Sequence, residues 1–146
     1  MSALAFARPF WPLFLHVLGA MSLVGAVLAA AIVSWAGWPR PGALPLRRTA
    51  FASLAAVGVP AYALMRACAQ WIYSDEGWTG HGDPTWLGIG FGVADAGLLL
   101  LLLLLGIAFW WQRSGTALAA RLVAGLSSLY LLLLAVAWLA MSGKWG

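Results

Sequence analysis

The sequence predicts an all-α fold, an antiparallel bundle of four transmembrane helices joined by short loops. Three observations predict it. Of the 146 residues, 64% are hydrophobic and 8% are charged, with a mean hydropathy of +0.93; a water-soluble domain carries about a quarter charged residues. The apolar residues are gathered into four runs, and about 20 such residues cross the ~30 Å hydrocarbon layer of a bilayer. Proline, glycine and most charges gather between the runs, and little chain is left over. The reading is a single integral membrane domain over 1–146, with helices at about 10–35, 49–73, 84–111 and 116–141.

Each element has its own local reason. The first run is longer than the about 7–15 residues of a signal-peptide core, so it reads as a mature helix. It ends at "WPRPGALP", where Pro39, Pro41 and Pro45 remove backbone donors and crowd the preceding turns. The second run contains Pro60, which is expected to bend the helix and free the carbonyl of Ala56. Asp83 and Pro84 read as an N-cap followed by proline at the first helical position. The eight leucines Leu98 to Leu105 need only a lipid-facing reading. "SGT" at 114–116 supplies a glycine stop and a threonine cap, which makes the last two helices a tight hairpin.

Orientation follows from the arginines. Arg40, Arg47 and Arg48 lie between the first two runs, Arg113 between the last two, and Arg121 early in the fourth. None of these segments contains an acid, whereas "SDEGWTGHGDPTW" holds Asp75, Glu76 and Asp83 without a lysine or arginine. Positive charge stays on the cytoplasmic side, so a multi-pass protein of the inner (plasma) membrane is expected, with both termini outside. Arg8 and Lys144 count against this, five against two. The net charge of +4 then reflects topology and not a nucleic-acid surface. Trp11, Trp71, Trp86 and Trp138 on one side, and Trp35, Trp38, Trp110 and Trp111 on the other, read as interfacial belts.

The polar residues inside the runs are few. His16 shares a helix face with Gly19, Ser22, Ala26 and Ala29, small residues that let helices approach closely. It should therefore face the bundle, in reach of a polar group on the second and third helices. Tyr62, Arg66, Gln70 and Tyr73 form a stripe on the second helix, and Asp95, the one acid inside a run, follows Gly88 and Gly92 on the third. At ~1.5 Å per residue, Arg66 lies about 8–10 Å from Tyr73 and Asp95 about 13 Å from Trp86, so the two are expected to pair. His16, Tyr62, Arg66, Gln70 and Asp95 are the ligand-binding candidates of a polar pocket in the outer half. The plainer roles for the same groups are fixing helix register and satisfying one another within the interface.

No P-loop, paired CxxC, HExxH or nucleophile elbow occurs, so no catalytic residue is assigned and an enzyme is not the expected class. The single cysteine, Cys68, has no partner for an internal disulfide. The leading expectation is a non-catalytic binding or accessory protein, taking a lipid, quinone or small solute or docking a partner subunit or a second copy. Its partners are then the lipid bilayer and such a subunit, with no nucleic acid and no cofactor. A redox protein with haem b or copper is the alternative, with His16 and His81 as metal candidates and Met65 and Met141 as soft ligands. A small transporter component is a third reading.

The stretch "FLHVLGAMSLVGAVLAA" resembles the opening helix of small bacterial integral membrane proteins of unknown function with four helices. More loosely, it is similar to histidine-bearing helices of copper-resistance D proteins and of HemJ-type membrane protoporphyrinogen oxidases. The resemblance covers the first helix alone. The oxidase likeness implies His16 as a haem ligand, and the chain has no second histidine inside a run.

Overall fold

The computed structural model describes residues 10–40, 43–77 and 84–143, and every regular element among them is helical. Four helices, α1 (Phe10–Gly37), α2 (Leu44–Asp75), α3 (Thr85–Ser114) and α4 (Ala117–Gly143), are each long and apolar enough to cross a membrane. Even α4, the shortest at 27 residues, reaches about 40 Å at ~1.5 Å per residue.

The helices form a ring in the order α2, α1, α4, α3. Among the described residues, the backbones of the diagonal pairs, α1 with α3 and α2 with α4, do not approach one another. The ring closes between α3 and α2 mainly along the first half of α2, because after Val59 those two helices barely touch. The core is built from Leu23, Val27, Leu54, Leu101, Leu104, Val123 and Tyr130, with Trp111 filling one end.

Helix α2 starts five residues before the sequence suggests. Pro45 sits in its first turn, where a missing N–H has no helical partner to lose, so Arg47 and Arg48 are helical and not in a loop. The distortion expected at Pro60 lies just ahead of it. Residues Ser53–Gly58 form a π-helical turn, and the Val59 N–H bonds the Leu54 carbonyl five residues back. A wider turn absorbs the missing proline donor without breaking the helix.

Glycines set the closest approaches. A Cβ on Gly19 would come within 2.8 Å of the Met65 nitrogen and 2.9 Å of the Ala61 oxygen, so α1 and α2 meet backbone to backbone. Gly115 ends α3 in the left-handed conformation, with φ of 65°, and Thr116 Oγ1 accepts from the Ala119 N–H at 3.4 Å. The glycine stop and threonine cap thus stand as read, while Thr85 opens α3 with Pro84 as its cap residue; Asp83 is outside the described residues.

Two side-chain expectations are corrected. Trp111 is 2% exposed and belongs to the core, not to an interfacial belt, because it points across the bundle towards Gly37. Of the eight leucines, Leu101 and Leu104 are buried while Leu99, Leu102 and Leu103 are exposed. Helical periodicity divides the run between core and surface.

Candidate functional site

Beyond the π turn, one face of α2 carries Val59, Tyr62, Ala63, Arg66, Ala67 and Gln70. These residues recur every three or four positions, so they stack above one another along the helix. Opposite them, α3 offers Leu98, Leu101 and Leu102. Where the two helices part, these residues line an open groove of about 620 Å³.

Polar bridges cross its far end. Tyr62 donates its hydroxyl proton to the Ala94 carbonyl at 3.0 Å. Arg66 Nε lies 3.8 Å from Asp95 Oδ1, and Arg66 Nη1 donates to Gln70 Oε1 at 3.1 Å. The same guanidinium lies over the ring of Phe91, 4.9 Å from its centroid, and Tyr73 meets Phe91 edge-on at 5.4 Å. The expected Arg66–Asp95 pair is present, but as a long single contact, with side chains 31% and 72% exposed. Arg66 thus shares its charge among a carboxylate, an amide and an aromatic face, and retains open surface towards the groove.

His16 stands apart from this group. It is half-buried, and its Nδ1–H donates to the Met65 carbonyl at 2.9 Å. Met65, with Ala61 and Cys68, is buried on another face of α2 from the one that lines the groove. One turn along α1 from Gly19, His16 therefore fastens α1 to α2 at their tightest approach. The small-residue stripe did identify the side of α1 that is buried, through Gly19 and Ala26, but the partner is a backbone oxygen and not a polar side chain of the groove. His81, the second metal candidate, is outside the described residues. Among the described residues, no three of His, Cys, Asp or Glu come together as a metal-holding group. Met65 is buried in the bundle, and Met141 packs over Gly90, where an added Cβ would lie 3.0 Å from its sulfur.

The opposite end of the bundle holds polar groups to which the sequence reading gave no site. Arg47 folds across the α3–α4 turn, with Nη1 donating to the Trp111 carbonyl at 3.4 Å. Its Nε is buried without a partner among the described residues, as are Gln112 Oε1 and Ser127 Oγ. Ser128 bonds back to its own helix at the Ala124 carbonyl, and Trp35 Nε1 donates to its hydroxyl across the α1–α4 interface at 3.4 Å. Arg121 lies over Trp38 at 4.3 Å and Arg113 over Phe109 at 4.7 Å. The available signal was the helix-compatible proline at the start of α2, which turns Arg47 from a loop residue into one with a fixed direction.

Compared with protein-family models, curated proteins and solved structures, the chain matches none.

Proposed function

We propose that this chain is a non-catalytic membrane protein that binds a lipid-soluble amphipathic molecule, a lipid or a quinone, in the groove between α2 and α3. The observation that carries the reading is the composition of that groove: Tyr62, Arg66 and Gln70 on one wall and three leucines on the other. A polar headgroup accepts hydrogen bonds from Arg66 and Gln70, near Asp95, while its chain runs along Leu98, Leu101 and Leu102. Sites of this kind take most of their affinity from apolar contact and their orientation from a few placed polar groups. His16 acts in this reading through the α1–α2 contact that holds α2 in position.

The reading includes the arrangement of the helices: four antiparallel membrane crossings in one integral domain, both termini outside, the groove in the outer leaflet. Cysteine labelling with an impermeant reagent in a Cys68→Ala background tests it. A cysteine at Thr79 should label from outside and one at Ser114 should not; the reverse pattern inverts the orientation.

Binding is tested with decylubiquinone and with phospholipid added to the delipidated protein, followed by thermal shift. Ala67→Trp fills the groove from an exposed position, and should weaken binding by about tenfold or more, roughly 1.4 kcal/mol. Unchanged binding in that variant removes the groove from the function.

The redox alternative has one supporting observation. His16 Nδ1 is tied to a backbone carbonyl, the arrangement in which a metal-ligating imidazole presents its other nitrogen. A Soret band or stoichiometric copper in the purified protein would favour that reading over the groove.

A further inference from the structure

We propose that the arginine end of the bundle carries a second site, for a phosphate-class oxyanion. A pocket of about 250 Å³ lies there, bounded by Trp38, Arg40, Arg47, Trp111, Gly115 and Thr116. At ~30 Å³ per water, that is room for roughly eight waters, or for a phosphate and its nearest substituents.

The five arginines of this end are not equivalent. Arg113 and Arg121 rest on aromatic faces, and Arg48 is exposed outside the pocket. Arg40 and Arg47 instead line the same pocket. Among the described residues neither makes an ion pair, and the four acidic side chains of the sequence all fall between residues 75 and 95. Arg47 lies across the turn in space that the missing side chain of Gly115 leaves open, since a Cβ there would meet its Nη1. There Arg47 makes one long bond to the Trp111 carbonyl, and its buried Nε has no partner among the described residues. A guanidinium has five donors and favours bidentate contact with phosphate oxygens, so most of its donor capacity is unspent.

The backbone contributes the same sign. Helices α2 and α4 both begin at this pocket, with Ala43 and Ala117 among its walls. Neither has an acid in its first turn to offset the positive end of the helix dipole. The partly buried guanidinium of Arg47, the exposed Arg40 at the rim, two helix starts and the indoles of Trp38 and Trp111 complement a tetrahedral anion. Basic pockets between helix ends are a recognised setting for anionic lipid headgroups. The site stands independently of the groove, and rests on the membrane reading only where the phosphate belongs to a lipid.

The test uses the full chain, delipidated in neutral detergent. Binding is followed by thermal shift and by intrinsic tryptophan fluorescence on adding dihexanoyl-phosphatidylglycerol, inorganic phosphate, or chloride at matched ionic strength. Saturable binding of the first or second, but not of chloride, is expected. Preference for the lipid assigns a headgroup phosphate; equal or better binding of inorganic phosphate assigns a soluble phosphate compound. Arg40→Gln and Arg47→Gln should each weaken binding about tenfold, the loss of a charge-assisted contact, while Arg48→Gln and Arg113→Gln, with the same change in net charge, should leave it nearly unaltered. Arg40 is exposed, so its substitution keeps the test valid if Arg47→Gln fails to fold. Equal losses in all four variants would overturn the site in favour of diffuse charge attraction, as would the absence of saturable binding.

Discussion

Past its π turn, α2 has two neighbours and treats them differently. Against α1 it makes contact through backbone, at a glycine, with a histidine bonding a main-chain carbonyl beside it. Against α3 it makes contact through the far ends of Tyr62, Arg66 and Tyr73, leaving a groove between. Close packing tolerates no added atom, because interiors are as dense as organic crystals. Long polar side chains span a gap and can re-form their contacts when it changes. One side of α2 is a fixed wall, the other an adjustable one, and this is the asymmetry that the proposed binding in the groove needs.

The comparison is broken most directly at Gly19. Gly19→Ala forces the backbones of α1 and α2 apart and should cost about 1–3 kcal/mol, the range for overpacking a close-packed site, read as a lower melting temperature in detergent. A small effect would mean that the contact is as adjustable as the groove side. Next in size is Gly115→Ala, which places a Cβ in the left-handed region and against Arg47. It should cost about 1–2 kcal/mol and leave binding in the groove unchanged, which separates the two ends of the bundle. On the adjustable side, Arg66→Leu and Asp95→Leu should show a coupling of about 0.6 kcal/mol, and at most about 2, in a double-mutant cycle, the range of polar contacts between membrane helices. A coupling of several kcal/mol would make this wall rigid too. The smallest change is expected at Gly92→Ala, whose Cβ meets nothing within 4 Å. Helix propensity gives it a gain of at most about 1 kcal/mol; a loss would show that another surface packs on that stripe.

These particulars also mark how far the sequence could be read. Four helices were legible because each apolar run is long and their separators are proline, glycine and charge. Helix ends were less so: a proline can terminate one helix or occupy the first turn of the next, and Pro45 does the second. The Arg66–Asp95 pairing followed from depth counting, which regular rise makes dependable. The partner of His16 did not, since a backbone carbonyl has no residue type to search for. Trp111 shows the same limit, because a tryptophan near a helix end suits a belt or a core equally, and only the tertiary packing decides. The inward turn of Arg47 depends on a glycine 68 positions further along the chain, and no local pattern connects the two.

The place of α4 in the ring has a consequence for biogenesis. It lies against α1, so the indole of Trp35 meets the hydroxyl of Ser128 across 93 residues of chain. A ribosome adding ~5–20 residues per second takes about 5–20 s to make that length. Once Met65 has been made, α1 and α2 can be joined at Gly19 for the rest of that interval, while the flank of α1 destined for α4 has no protein neighbour of its own. A lipid, an insertase or a chaperone has to occupy it first, and α4 closes the ring by displacing that occupant.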